Sequence, residues 1–186
     1  MMKLIEPSME YERQILDYRR AFLEAGSSMD GCGSLRRYET VRAWLDALEA
    51  DKRSNALPGG QPGSVLYLFV REEDRAVVGM LQIRRLINET LKRYAGNVGY
   101  SVRPDERRKG YAVQMLAAAL PLCRQMGLDR ILISCRPENE GSRRTILRNG
   151  GVFESTVYWP ERDVYLERYW IDLRDPPPSA DPGKYR

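Results

Sequence analysis

The sequence predicts a single mixed α/β domain, and three observations support this fold class. The chain has 186 residues, enough for one domain with its own core and few for two. Some segments repeat apolar residues every three or four positions, as amphipathic helices do, whereas others are short apolar runs typical of buried strands. Because the two kinds of segment are interspersed along the chain, we expect one α/β domain over residues 1–173.

The first half of the chain is predicted to hold two helices and three strands. In the first helix, Ile15, Tyr18 and Phe22 share one apolar face. A loop rich in Gly and Ser at 26–34 separates the two helices, and a second loop follows at 55–63. The predicted elements are a strand at 3–6, a helix at 9–25 with Ser8 as N-cap, a helix at 41–50 with Thr40 as N-cap, and an antiparallel strand pair at 65–70 and 77–87.

The second half contains the most regular helix of the sequence, at 109–126. Its apolar face includes Met115 and Cys123, and Gly127 is the expected C-terminal stop. The end of the chain is rich in Pro and poor in apolar residues, which predicts a disordered tail at 174–186. The remaining predicted elements are strands at 97–102 and 130–135, a helix at 139–149, and a final strand pair at 152–159 and 164–173.

The composition excludes several classes of catalytic site. The chain has no histidine, which rules out Ser-His-Asp catalysis, Cys-His catalysis and His-ligated metal sites. Cys32, Cys123 and Cys135 are widely spaced and odd in number, so neither a disulfide framework nor a metal site is expected. No apolar run approaches the ~20 residues of a membrane span. The N-terminus lacks the apolar core of a secretory signal, so we expect a cytoplasmic protein without a membrane partner.

The stretch at 99–112 has the features of a phosphate-binding site. A strand ends there, a polar loop follows, and a helix begins at Gly110. The first N–H groups of a helix have no partner within it, and the helix dipole adds partial positive charge. Glycine lets a phosphate approach the backbone, and Arg107, Arg108 and Lys109 add positive charge. This combination is typical of a pyrophosphate site, and a basic helix start with a glycine turn is the structural alternative.

The same stretch resembles the acyl-CoA motif of the GNAT superfamily of N-acetyltransferases, [Q/R]-x-x-G-x-[G/A], which stands here as Arg107-Arg108-Lys109-Gly110-Tyr111-Ala112. The GxGxxG and GxxxxGK[ST] fingerprints are absent. After the next strand, Asn139-Glu140-Gly141-Ser142 is similar to the family's N-x-x-[A/S] helix start. The resemblance covers about residues 64–172 and extends to a group of predicted acetyltransferases in that superfamily. It implies a GNAT-like fold, with a mostly antiparallel, twisted central sheet of roughly six to seven strands flanked by about four helices.

The resemblance implies that acetyl-CoA binds as a co-substrate, without a metal. The pantetheine arm would lie along the strand before the motif, where a backbone N–H polarises the thioester carbonyl. The pyrophosphate would take the backbone N–H groups of the motif. Asn139 would bind the pantetheine arm, and it is also suited to cap its helix. The implied contacts are Tyr100, Ser101, Val102, Arg107, Arg108, Lys109, Gly110, Tyr111, Ala112, Asn139, Ser142 and Arg143.

The implied reaction is direct attack of a primary amine on the acetyl thioester, which makes the protein an expected N-acetyltransferase. The sequence departs from the family at the positions for proton transfer. Ile146 occupies the helix position where many members have an acidic tyrosine, and Asn97 stands where a titratable group is expected. The substitutes offered by the sequence are Tyr158, Glu154 and Glu89.

The resemblance implies that the acceptor, a small-molecule or protein amine, would meet the N-terminal helices and the loops around 26–34 and 88–96. Asp30, Glu39 and Glu89 are the carboxylates in and near these loops that would attract an ammonium. The family also implies a homodimer, for which no residue of the sequence gives evidence.

Two alternatives remain open. The missing acid and base suggest a GNAT fold that binds acyl-CoA without transferring it. The arginine pairs and a sequence pI near 9.0 are compatible with a nucleic-acid-binding module. The pairs fall in different elements and no nucleic-acid motif is present, so we expect no nucleic-acid partner.

Overall fold

A computed structural model describes residues 1–54, 63–85 and 87–174. The mixed α/β class is confirmed, and the predicted helices and strands occur in the predicted order. Most of the loop at 55–63 and of the tail at 174–186 lies outside the described residues. The elements are β1 (Met2–Ile5), α1 (Glu12–Glu24), α2 (Val41–Ser54), β2 (Ser64–Arg71), β3 (Ala76–Arg84), β4 (Val98–Val102), α3 (Tyr111–Gln125), β5 (Arg130–Cys135), α4 (Glu140–Arg148), β6 (Val152–Trp159) and β7 (Val164–Asp172).

The described strands form two antiparallel sheets. One has the order β1-β2-β3-β4 and the other has the order β5-β7-β6. Both predicted hairpins, β2–β3 and β6–β7, are present. The seven strands are thus divided between two sheets, and β4 and β5 face each other as neighbouring edges.

The two sheets are joined at Asn97, the residue before β4. Its backbone N–H turns away from β3 and donates to the Leu132 carbonyl at 2.7 Å. The Asn97 side chain bonds to both sheets: Nδ2 donates to the Arg84 carbonyl of β3 at 3.0 Å, and Oδ1 accepts from the Leu132 N–H of β5 at 2.9 Å. The β3 strand therefore ends at Arg84, short of the predicted end at 87. Past this joint no ladder connects β4 to β5 in the described residues, and a cleft opens between them.

Helices cover both faces of the four-stranded sheet. Because side chains alternate along a strand, Leu68 and Val70 of β2 point to α1 and α2, where they pack with Trp44, while Phe69 points to α3 and packs with Met115. All five side chains are fully buried or nearly so. The continuous apolar run of β2 follows from this burial on both faces.

Helix starts agree with the sequence at α2 and differ at α1. Thr40 Oγ1 accepts from the Ala43 N–H at 3.2 Å, as expected of an N-cap. Ser8 makes no side-chain cap bond, because a 3-10 turn at Met9–Tyr11 precedes α1 and its carbonyl accepts from the Tyr11 N–H instead.

Candidate functional site

The open edge of β4 lines the cleft between the sheets. The Asn97 carbonyl accepts from β3 at 2.7 Å, and the Arg103 N–H donates to β3 at 2.9 Å. Backbone groups of successive residues in a strand point to opposite sides, so the backbone of Ser101 also faces β3. The N–H groups of Tyr100 and Val102 therefore point away from β3, into the cleft.

The start of α3 presents a second group of backbone donors. Arg108 and Gly110 have positive φ angles of 64° and 81°, a turn geometry that aims successive N–H groups at one concave spot. The first intrahelical bond runs from the Gln114 N–H to the Gly110 carbonyl at 3.2 Å, so the N–H groups at 111–113 precede the helical ladder. A Cβ at Gly110 would meet nothing nearer than 3.8 Å, which leaves room for a phosphate.

Glu106 holds this loop in shape. Its buried carboxylate accepts from Arg71 Nη1 and Nη2 at 3.2 and 3.0 Å, and from Lys109 Nζ at 2.8 Å. Arg71 also donates to the Tyr111 hydroxyl at 3.0 Å. The hydrogen bonds from Arg71, with a smaller contribution from Lys109, lower the pKa of Glu106 below its ordinary value. Lys109 is thus engaged within the loop.

A cleft of about 860 Å³ runs from the α3 start along β4 to the start of α4. Every predicted acetyl-CoA contact lines it except Lys109 and Arg143. Arg143 points the other way and pairs with Glu167 of β7 at 2.9 Å. The N–H of Arg107 is occupied by the Pro104 carbonyl at 3.4 Å.

The first turns of α4 complete that cleft. Asn139 Oδ1 accepts from the Ser142 N–H at 3.1 Å, so Asn139 is the N-cap that the structural alternative predicts, and it also lines the cleft. Two further cations, Arg144 and Arg148, line the cleft but were not predicted, because the family resemblance at the start of α4 covers only residues 139–142. Arg144 pairs with Glu140 at 2.8 Å, whereas Arg148 has no ion pair in the described residues.

A second cleft of about 800 Å³ lies on the side of α2 and meets the first. Tyr100 lines both clefts, and its hydroxyl lies 2.8 Å from Ser142 Oγ. Burial raises the pKa of the Tyr100 phenol well above its ordinary value, so the hydroxyl stays protonated. The residues common to both clefts are Ser28, Asp30, Tyr100, Asn139 and Ser142.

The loop that carries Asp30 is fixed against β4. Ser101 Oγ donates to the Asp30 carbonyl at 2.6 Å, and the Cys32 thiol lies 3.2 Å from the same oxygen of Ser101. A Cβ at Gly31 would stand 2.1 Å from the Gly99 carbonyl oxygen, so the two backbones touch. Burial raises the pKa of the Cys32 thiol to about 12, which keeps it a neutral core group. The Asp30 backbone is thereby held at the junction of the clefts, and its carboxylate accepts from Ser28 Oγ at 3.1 Å.

A family model described as an acetyltransferase (GNAT) domain matches residues 24–152. The chain belongs to the GNAT acetyltransferase family. Comparison with curated protein sequences finds no match.

Solved GNAT structures have the same fold. RimJ of Mycobacterium smegmatis in complex with CoA-disulfide is 20% identical, with a TM-score of 0.68 over 92% of this chain and 81% of that one. Ribosomal-protein-S5-alanine acetyltransferase of Vibrio fischeri is 17% identical, with a TM-score of 0.67 over 95% and 94%. A spermidine N-acetyltransferase SpeG chimera of Vibrio cholerae and hSSAT is 14% identical, with a TM-score of 0.63 over 92% and 95%. The names of the last two give different acceptors, a ribosomal-protein alanine and spermidine.

The three proposed proton-transfer residues of this GNAT domain lie outside both clefts. Tyr158 is exposed and donates to Asp163 at 2.7 Å. Glu154 accepts from the Trp170 indole at 2.8 Å, which lowers the pKa of that carboxyl. Glu89 has a side chain 92% exposed on the surface. The late strands and the loop place these groups on the outside of the fold.

The positions where the GNAT resemblance leads us to expect a base and an acid are structural in this chain. Asn97 joins the two sheets, and Ile146 is fully buried in the core. Among the carboxylates predicted to attract an ammonium, Asp30 lines both clefts, while Glu39 and Glu89 line neither. Of these three predicted carboxylates, Asp30 is therefore the one that the fold brings to the site.

Residues 1–54, 63–85 and 87–174 include no helix that is long and apolar enough to cross a membrane. The same residues bring together no group of His, Cys, Asp and Glu side chains that would hold a metal ion.

Proposed function

We propose that this GNAT domain transfers the acetyl group of acetyl-CoA to a primary amine. The observation that carries the proposal is the meeting of two clefts at Tyr100, one lined by the acyl-CoA motif and the other by the N-terminal loops. A transferase of two substrates needs two binding sites that share the reacting point.

The first cleft suits acetyl-CoA. The donors at 111–113, together with the left-handed turn at Arg108 and Gly110, suit its pyrophosphate. The free N–H groups of Tyr100 and Val102 suit the pantetheine amides, as an added strand would. One of these N–H groups would polarise the thioester carbonyl, which gives the oxyanion a fixed donor. Acetyl-CoA supplies the activated acyl group, and the backbone of β4 orients it.

The second cleft suits the amine. The Asp30 carboxylate lies at the junction, where it would attract the ammonium and accept its proton, directly or through one water. The amine nitrogen then forms the new C–N bond as the C–S bond breaks, and the thiolate leaves with the electron pair. The Tyr100 hydroxyl, which lies 2.8 Å from Ser142 Oγ and 3.4 Å from the Ser142 carbonyl, stays protonated and would donate a hydrogen bond to the departing sulfur in place of that carbonyl. Water would supply the proton, since the pKa of Tyr100 is too high for an efficient acid.

A second candidate, acyl-CoA binding without transfer, is favoured by the burial of Ile146 and by the position of Tyr158, Glu154 and Glu89 outside the clefts. Both candidates predict cofactor binding, and turnover separates them. Release of CoA with any amine of a broad panel supports the transferase, and tight binding without release supports the second candidate.

Thermal melting with acetyl-CoA, CoA, NAD and ATP tests the cofactor. At about 100 Kd, acetyl-CoA should stabilise the fold by roughly 2.7 kcal/mol, a rise in Tm of about 5–10 °C. Gly110→Glu should abolish the rise, because a carboxylate would occupy the phosphate position. Gly150→Glu is the matched control, since Gly150 also has a positive φ, 84°, open space around it and a place outside both clefts. No rise with either CoA compound would overturn the proposal, and salt-dependent RNA binding would then return the nucleic-acid alternative.

A further inference from the structure

Arg84, the last residue of β3, places its guanidinium in the wall of the second cleft. The side chain donates to the Gly96 carbonyl at 3.4 Å and to Gln82 Oε1 at 3.1 Å. It forms no ion pair with a carboxylate of the described residues. Among the other arginines that line the two clefts, Arg136 and Arg144 are paired, whereas four have no ion pair in the described part of the chain: Arg107, Arg108, Arg148 and Arg162.

Arg84 differs from those four because its side chain is half-buried, whereas theirs are exposed. Burial lowers the pKa of its guanidinium below the ordinary value, and the charges of Asp30 and Asp51 act in the opposite direction without a contact at ion-pair distance. A guanidinium held partly out of water is stabilised when an anion pairs with it. Since the guanidinium faces a cleft, a bound molecule is able to supply the missing anion.

We propose that the acceptor is a free α-amino acid, whose carboxylate is bound by Arg84 and whose amine is directed to the thioester by Asp30. This inference rests on the proposed acetyl transfer and names the substrate class of its second site. Planar guanidinium and carboxylate groups match as a two-pronged pair, which lysine does not offer.

The distance between the two functional ends fits an α-amino acid. A Cβ at Gly99 would lie 3.2 Å from Arg84 Nη2, so the guanidinium rests against Gly99. The next residue is Tyr100, whose free N–H is proposed to hold the thioester carbonyl. Neighbouring Cα atoms are about 3.8 Å apart, so an acceptor whose anion and amine are separated by only a few bonds would reach both Arg84 and the thioester.

The remaining wall of the cleft favours a small zwitterion with an apolar side chain. Its charged residues are Asp30, Asp51, Arg84, Arg136 and Arg162. More cations than carboxylates face the cleft, which disfavours a polyamine. Tyr94 and Trp159 stack there with ring centroids 4.7 Å apart, and Arg162 lies over the Trp159 ring at 4.3 Å. Arg93 lies over the Tyr94 ring at 5.3 Å, so the ring faces are covered and the ring edges are what the stack offers to an apolar acceptor side chain.

The test measures CoA release by the full chain with L-phenylalanine, L-methionine and L-tryptophan, each beside its carboxamide. Spermidine and a peptide with a free N-terminus complete the panel. We expect kcat/KM for the amino acids to exceed that for the amides by about 10- to 100-fold, the value of a charge-assisted hydrogen bond. Arg84→Gln should remove this preference, and Arg84→Lys should restore it in part. Arg13→Gln, an exposed arginine of α1 outside both clefts, should leave the preference unchanged.

The outcomes separate this inference from the proposed function. The rise in Tm with acetyl-CoA must persist in the Arg84 variants, which also shows that they fold. Preference for spermidine or the peptide, equal rates with acid and amide, or an equal loss of both rates in Arg84→Gln would overturn the amino-acid acceptor while acetyl transfer stands. A Tm rise without release of CoA from any amino acid would overturn it as well. No Tm rise at all would overturn the proposed function itself.

Discussion

Replacement of the buried Asn97 by alanine should destabilise the protein more than the same replacement of Asn139, which caps an exposed helix start. The change removes both side-chain bonds of the joint and leaves the Arg84 carbonyl and the Leu132 N–H without partners. Asn97 is 4% exposed, so water is a poor substitute. A buried polar group that loses its partner costs about 1–3 kcal/mol, so two cost about 2–6 kcal/mol. For a chain of this size, each kcal/mol lowers Tm by about 2–4 °C.

Urea unfolding of wild type, Asn97→Ala and Asn139→Ala measures this cost. Asn139 caps an exposed helix start, so its loss should cost about 1 kcal/mol. A loss at Asn97 no larger than that at Asn139 would refute the joint, because the two backbone groups would then have other partners. The m-value should not change, since the same surface is exposed on unfolding.

Asn97→Asp tests the direction of the bonds. Oδ1 still accepts from the Leu132 N–H, but an ionised carboxylate has no donor for the Arg84 carbonyl. Folding then favours the neutral acid and raises its pKa above the unfolded value near 3.9. The variant should therefore approach wild-type stability below about pH 3.9 and lose it as the pH rises through the folded pKa. Equal destabilisation of this variant, relative to wild type, at pH 3 and pH 7 would contradict the assignment.

Two further substitutions test the loops around the site. Glu106→Gln should destabilise the protein at pH 7, where the ionised carboxylate of the wild type binds Arg71. Because folding lowers the pKa of Glu106, the stabilisation by this carboxylate is present above the unfolded pKa near 4.3 and is lost as the pH falls through the folded pKa. Urea unfolding should therefore show a smaller difference between the variant and wild type at pH 3 than at pH 7. Gly31→Ala should lower the free energy of unfolding more than Gly26→Ala does in the same assay. Both glycines have positive φ, but only the new Cβ at position 31 would collide with the Gly99 carbonyl oxygen, at 2.1 Å. Equal losses of stability in the two variants would argue against the close contact between the loop and β4.

The sequence alone was sufficient for the order of the elements because the relevant signals are local. The continuous apolar run of β2 predicts a strand that is buried on both faces, and the regular apolar face at 109–126 predicts α3. The strand–loop–helix at 99–112 carried the GNAT resemblance for the same reason: a glycine and three basic residues at a helix start form a local motif. It also led to eight of the residues that line the first cleft.

The tertiary structure decided what depends on contacts between distant segments. In the sequence, Asn97 is an amide at a position where the resemblance implies a titratable group. Only its hydrogen bonds to Arg84 and Leu132 in the folded protein show that it joins the two sheets. Asp30 was one of several candidate carboxylates until the loop packed against β4 and brought it to Tyr100. Arg84 could not be predicted as a binding residue, because the sequence does not show whether an arginine is paired with a carboxylate in the folded protein. Charge pairing and burial are set by residues far apart in the chain, so the acceptor side of the site becomes visible only in the folded protein.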